Sequence, residues 1–253
     1  MMTTGFKQRL AAGETLLGTF VKTTHPHVVE VLATCGFGCI CIDAEHAPFD
    51  RQSTDLCLMA ARAGGVPALV RPATASAHDI LAALDSGADG ILAPHIRSAE
   101  EAEALVKAVH YGPGGRGYAG SSRAASYGLT PMPEHRRASA ERSVAIAQIE
   151  DVEALDAIDA IAAVKGLDAL FIGRIDLTVS LGCASPDDAP VEAAVERIVA
   201  ACVGAGKPVG MFLPRARDVE HWRERGATFF LLGSDHSMIR AGAAALRQEA
   251  GIA

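Results

Sequence analysis

Four apolar runs of this chain end in groups able to move protons or hold a cation. Gly38 to Asp43 leads into Ala44-Glu45-His46, and Pro67 to Arg71 stops on an arginine. Ser143 to Glu150 closes with Gln148-Ile149-Glu150, and Asp168 to Gly173 continues into Arg174-Ile175-Asp176. Two carboxylates such as Glu150 and Asp176, with the remaining positions filled by water and substrate, are a common way to hold Mg²⁺, and Mn²⁺ accepts similar ligands. The competing reading pairs each carboxylate with an arginine. His46, with an unperturbed pKa near neutrality, suits a general base. Asp43, three residues before it, and Asp85, in the following predicted helix, are both candidates to orient its imidazole, although Asp85 also reads as an ordinary late-helix residue. A glycosidase built on two carboxylates would leave Arg71 and His46 without work. A lysine Schiff base is a further rival. Only Lys22 stands near the carboxyl end of a run, because Lys207 opens its run instead of closing it.

The elements that must position these groups follow from the apolar pattern. Predicted strands are Leu16 to Val21, Gly38 to Asp43, Pro67 to Arg71, Asp89 to Ala93, Ser143 to Glu150, Asp168 to Gly173, Lys207 to Leu213 and Thr228 to Leu232. Predicted helices lie between and after them, from Pro26 to Cys35, Arg51 to Ala63, Ser76 to Asp85, Ser98 to His110 and Val152 to Val164, near 175–181 and 190–205, then Ala216 to Arg225 and His236 to Gln248. The strands are continuous apolar runs, as expected where both faces of a parallel sheet are buried. Eight βα units in 253 residues predict one α/β domain over 1–253, a (β/α)8 TIM barrel whose active site lies at the carboxyl ends of the strands. A doubly wound open sheet is the alternative, but the turn after the first strand has no G-x-G-x-x-G.

Composition narrows the function. The net charge is −7 and the pI about 5.7, which disfavours a nucleic-acid binder. No apolar stretch approaches the roughly 18 residues that span a bilayer. The opening MMTTGFKQRLAAGETLLG lacks the apolar core of a secretory signal, and six cysteines are no disulfide framework, so a reducing cytoplasm is expected. Cys35, Cys39 and Cys41 read as small apolar filling, with a zinc site as the minor alternative. The stretch HYGPGGRGYAGSSRAASYGLTPMPEH breaks the rhythm and predicts a lid or a subunit-contact loop; no P-loop pattern supports a nucleotide there. His25, His27 and His95 are loop histidines that either touch substrate or stay idle. Asp235-His236 reads as a cap for the last helix, Trp222 as packing, and Met211 with Phe212 as an apolar wall.

The segments CIDAEHAPFD, LVRP, LAALDSGADGILAPHI, AQIED and FIGRIDLTVSLG resemble those of the HpcH/HpaI aldolase family, collinearly from about residue 5 to 250. YGPGGRGYAGSSRAASYG is similar to that family's Tyr-Pro-Pro-x-Gly-x-Arg-Gly stretch and the Arg-Ala-x-x-Tyr-Gly after it. The resemblance implies a barrel of the phosphoenolpyruvate/pyruvate-binding type and a metal-dependent aldolase cleaving 4-hydroxy-2-oxo acids to pyruvate and an aldehyde. It implies Glu150 and Asp176 as ligands of Mg²⁺, or of Mn²⁺ or Co²⁺. Gln148 and the backbone at Gly173, Ile175 and Asp176 would contact the oxo acid, and Arg71 would bind it and stabilise the enolate. His46 would be the acid/base residue, Asp85 would raise its basicity, and Asp43 would belong to the same cluster. A homohexamer is implied too, with the alanine-rich last helix a candidate for packing on a neighbouring subunit.

Two positions depart from the family pattern. Arg174 stands where the family's Gly-Pro-x-Asp-Leu has proline, which brings a charge beside Asp176. Tyr111-Gly112-Pro113 replaces Tyr-Pro-Pro. Oxaloacetate decarboxylation by the same enolate chemistry, and a non-catalytic oxo-acid-binding barrel, are the alternative functions.

Overall fold

The computed structural model describes residues 5–251. Eight parallel strands close into a barrel in chain order: β1 (Leu16–Val21), β2 (Cys39–Asp43), β3 (Ala68–Arg71), β4 (Gly90–Ala93), β5 (Val144–Ile149), β6 (Ala169–Ile172), β7 (Val209–Leu213) and β8 (Phe229–Ser234). β8 pairs back onto β1, so no sheet edge is left open. The expected (β/α)8 architecture is therefore the observed one.

Each strand is buried on both faces, and the two faces feed different cores. On β2, Cys39 and Cys41 point into the barrel beside Leu69, Ile146 and Phe171. Ile40 and Ile42 point outward into the layer between sheet and helices. This period of two carries into the chemistry: inward-facing Cys39 and Cys41 are followed by Asp43, Leu69 by Arg71, and Ile146 by Gln148. Cys39 and Cys41 fill the barrel interior as expected, whereas Cys35 is exposed at a helix end, and among the described residues the three form no metal-binding group.

Some elements differ from the sequence pattern. A six-residue helix, Phe6–Ala11, precedes β1, too short for a periodic pattern; its Phe6 and Leu10 join the barrel interior, with Phe6 edge-on to Phe229 at 5.8 Å. The predicted helix from Val152 to Val164 is two short ones, Glu153–Asp156 and Ile158–Ala162. The stretch read as a long loop holds a 3₁₀ segment, Arg123–Gly128, and the start of helix Met132–Arg142, which is too polar all round to show an apolar face. It joins helix Ala99–Val109 to the start of β5, so it lies on the amino-terminal face of the barrel. It is no lid over the mouth of its own protomer. Arg123 pins it to Asp55 at 2.7 Å.

Asp235 ties the barrel shut near the mouth. It opens helix Asp235–Glu249 and is 2% exposed, but the helix cap is Ser234, not Asp235. Its carboxylate instead accepts the backbone N–H groups of Lys22 at 2.8 Å and Thr23 at 2.9 Å, just beyond β1. Asp235→Ala leaves both N–H groups without that acceptor; at about 1–3 kcal/mol for each buried unsatisfied donor, urea unfolding should show a loss of at least that size.

Candidate active site

The carboxyl ends of the strands gather most of the predicted residues. Asp43 is fully buried. Its Oδ1 lies 3.1 Å from Arg71 Nε and 2.9 Å from Arg71 Nη2, and it accepts the His46 backbone N–H at 3.1 Å. Its Oδ2 lies 2.9 Å from Lys22 Nζ. Burial works against the charged carboxylate, yet the Arg71 charge and the bonds from Lys22 and His46 outweigh it and hold the Asp43 pKa below its ordinary value. Arg71 lies over the Phe20 ring at 4.5 Å, so its guanidinium is held on two sides. Lys22 is committed to this ion pair, which an imine route would have to break.

Glu150 is 2% exposed. Its Oε2 accepts from Gln148 Nε2, and its Oε1 accepts the His95 backbone N–H at 2.9 Å. Burial is the main cause pushing its pKa up, against both hydrogen bonds. Glycine is required at 173: a Cβ there would stand 2.5 Å from Glu150 Oε2. Glu45 is also lifted, first by burial, with Arg71 and His95 opposing and Asp43 and Asp176 adding.

A cavity of about 350 Å³ opens over these groups. Lys22, His46, Arg71, Gln148 and Asp176 line its polar part, and Phe20, Phe212 and Pro214 its apolar part. Gly173 and Ile175 belong to the same wall. Met211 is fully buried and packs with the outer core, so only Phe212 of the predicted pair faces the cavity.

Other predicted positions stand apart. Asp85 is the last residue of helix Ala77–Asp85, which runs from β3 down to β4, so it lies at the opposite end of the barrel from His46. There it bonds Arg116. Within one protomer it does not orient His46, a separation that the sequence order of the two residues concealed. Arg174 lines the cavity too, but its guanidinium is bonded elsewhere: its Nη2 reaches the carbonyl of Pro186 at 2.6 Å and Asp187 Oδ1 at 3.3 Å. His25 caps helix Pro26–Ala33 through its ring, accepting from His27 N–H at 3.3 Å.

Donor atoms of Glu45, His95 and Glu150 lie within 4.8 Å of one another. Asp176 is outside that trio. Sequence reasoning assigned no role to Glu45, although it sits in the quoted Asp-Ala-Glu-His segment, and left His95 among the loop histidines. Burial disfavours the charged His95 ring, but its hydrogen bond to Asp151 and the charges of Glu150, Asp151 and Glu45 raise its pKa overall.

A parallel barrel with acidic groups, an arginine and a histidine around one cavity at the strand carboxyl ends defines an enzyme of the TIM-barrel class. Residues 16–241 match the HpcH/HpaI aldolase/citrate lyase family, and the chain belongs to it. It is 34% identical to a hydroxypyruvate/pyruvate aldolase of Deinococcus radiodurans over 92% of this chain and 85% of that one. It is 32% identical to a 4-hydroxy-2-oxo-heptane-1,7-dioate aldolase of Salmonella typhimurium, over 99% and 96% of the two chains. The solved structure of a family member from Burkholderia cenocepacia J2315 superposes with a TM-score of 0.91 at 32% identity, covering 97% of this chain and 99% of that one.

Asp43→Asn should cost up to about 3–5 kcal/mol at neutral pH, because it removes the hydrogen-bonded counter-charge of buried Arg71 and leaves it only Glu45 at 3.3 Å. The Asp43 pKa is depressed in the fold, so its stabilisation is complete above the unfolded-state pKa. The gap between wild type and variant in urea titrations should hold down to the ordinary carboxylate range and narrow only as pH falls further.

Proposed function

We propose that this chain is a divalent-metal-dependent aldolase that reversibly cleaves a 4-hydroxy-2-oxo acid to pyruvate and an aldehyde. The observation that carries the reading is Arg71, clamped by Asp43 at the wall of a cavity beside Glu45 and Glu150, two acids whose pKa values stay raised by burial even with Arg71 and His95 close by. Glu45 Oε2 and Gln148 Oε1 are buried without a hydrogen-bond partner, and burial lifts both Glu45 and Glu150. A dication fits that donor set. By resemblance Glu150 and Asp176 hold it, and Mg²⁺, Mn²⁺ and Co²⁺ are the ions considered. When bound, the ion supplies positive charge for the oxygens of an oxo acid.

The protein's own residues account for the rest. Arg71 directs fixed positive charge at the oxygen that turns anionic as the C3–C4 bond breaks. Because Asp43 and Phe20 already hold the guanidinium, little reorganisation is needed at that moment. His46 reaches the cavity with its side chain half-exposed and takes the proton of the C4 hydroxyl. The aldehyde leaves, and C3 of the three-carbon fragment takes up a proton to give pyruvate. Gln148 orients the oxo acid, with the backbone at Ile175 and Asp176, where the first N–H groups of helix Arg174–Ser180 have no intrahelical acceptor. Phe20, Phe212 and Pro214 keep water from the reacting carbons.

The reading includes a homo-oligomer, a hexamer by resemblance. Helix Asp235–Glu249 supports it: Asp235 is its only buried residue, while Ile239 is 62% and Leu246 69% exposed on an alanine-rich surface. A second copy is the occupant this face suits. An action of Asp85 on His46 likewise requires a second protomer.

Turnover of 4-hydroxy-2-oxo acids, followed by coupled pyruvate release, should vanish with chelator and return with Mg²⁺, Mn²⁺ or Co²⁺. Arg71→Ala should lower kcat/KM by about 10²–10³-fold or more while calorimetry still detects metal binding. Near-normal turnover would remove Arg71 from the mechanism, and a wild-type rate with an unchanged pH profile in His46→Ala would remove His46. Ile239→Glu with Leu246→Glu should reduce the assembly size measured by light scattering; unchanged size places the interface elsewhere.

A further inference from the structure

One lysine and two arginines line the cavity. Lys22 and Arg71 both hold Asp43. Arg174 has no part in the cleavage described above. Lys22, His46 and Arg71 stand at the ends of β1, β2 and β3, whereas Arg174 follows β6, which lies opposite β2 in the closed ring. On that side the wall also holds Phe171, Phe212 and Pro214. The only acid in the lining is Asp176, which by resemblance is taken up by the metal.

The Arg174 guanidinium is incompletely bonded at rest. Its side chain is 11% exposed, yet among the described residues only Nη2 makes hydrogen bonds, to the Pro186 carbonyl and to Asp187 Oδ1. Nε is buried with no partner. Asp187 is a weak anchor, because its side chain is 63% exposed and Arg215 also stands 4.0 Å from it. A buried N–H of a charged group that is left unbonded costs free energy, which an anion within reach recovers. The planar guanidinium fork matches a carboxylate through two parallel hydrogen bonds. This residue also departs from the proline of the family pattern, so the charge is a feature of this chain.

We propose that Arg174 binds a second carboxylate, carried on the aldehyde side of the 4-hydroxy-2-oxo acid, and so selects diacids over substrates with a neutral end. The inference rests on the aldolase reading above and deepens it by naming the substrate class. Gln148, Arg71 and the backbone at Ile175 and Asp176 already meet the oxo-acid end, so the anion left for Arg174 belongs to the other end. On binding, the guanidinium exchanges Asp187 for the substrate carboxylate. It then shifts relative to the Trp222 ring, whose centre is 5.7 Å from the guanidinium carbon at rest.

The test compares two 4-hydroxy-2-oxo acids of equal length, one ending in a carboxylate and one in the neutral primary amide. Pyruvate release gives kcat/KM for each with the metal-loaded full chain, for wild type, Arg174→Met, Arg174→Lys and Arg174→Pro. Position 174 opens helix Arg174–Ser180, where proline is well tolerated, so Arg174→Pro should fold. Wild type should prefer the diacid. The diacid-to-amide ratio should fall on the order of tenfold or more in Arg174→Met and Arg174→Pro, mostly through KM, and less in Arg174→Lys, which keeps the charge but not the fork. Trp222 is the only tryptophan, so its emission reports the movement directly and should change with the diacid and not with the amide. If wild type turns over both acids equally, or the ratio survives in Arg174→Met, this inference fails and the proposed function stands. If wild type turns over neither, both fail.

Discussion

Negative charge at the mouth of the barrel exceeds the positive charge the chain places there. Lys22 goes to Asp43, and Arg71 hydrogen-bonds Asp43 with Glu45 3.3 Å from its Nε; Asp43 is the one buried acid of the group whose pKa falls. Glu45 has Arg71 Nε at 3.3 Å and the His95 ring at 3.4 Å, and Glu150 accepts from an amide and a backbone N–H, yet burial lifts them both. A buried carboxylate without full compensation costs free energy unless it is protonated or a cation arrives. The site is therefore most comfortable with a dication present, and the arginine that would otherwise neutralise it remains fixed for the reacting oxygen.

The barrel makes this arrangement rigid. Inward side chains lie two residues apart on each strand, so the hydrophobic filling from Cys39, Cys41, Leu69 and Ile146 passes without a break into Asp43, Arg71 and Gln148. Closure of β8 on β1 brings Asp235 against the backbone of Lys22 and Thr23 and sets the origin of the lysine that grips Asp43. Gly173 leaves room for Glu150 beneath the cavity wall. Each of these is a packing constraint first, and the chemistry is placed by it.

The residues legible beforehand were those at strand ends. Apolar runs that finish in Asp43, Arg71, Gln148 and Glu150 announce both the strand and the side chain it delivers, because a parallel strand has only two faces and one of them is the barrel interior. His95 was visible only as a histidine after a strand. Its place beside Glu45 and Glu150 comes from a left-handed backbone and from acids 50 and more positions away in the chain. Arg174 looked like an intruding charge beside Asp176, but its side chain is long enough to turn out to Pro186 and Asp187. Helix Met132–Arg142 escaped notice because its surface is polar on every side.

Sequence alone determined the eight-fold alternation of strand and helix, the family, and the set of residues delivered to one end of the barrel, since local apolar periodicity and short motifs carry that information. Tertiary structure decided which of those residues meet. It separated Asp85 from His46 by the length of a helix, joined Glu45 and Glu150 through His95, and sent the long glycine-rich stretch to the far face. Distances across a closed barrel depend on strand order, register and side-chain direction together, and no single stretch of chain contains all three.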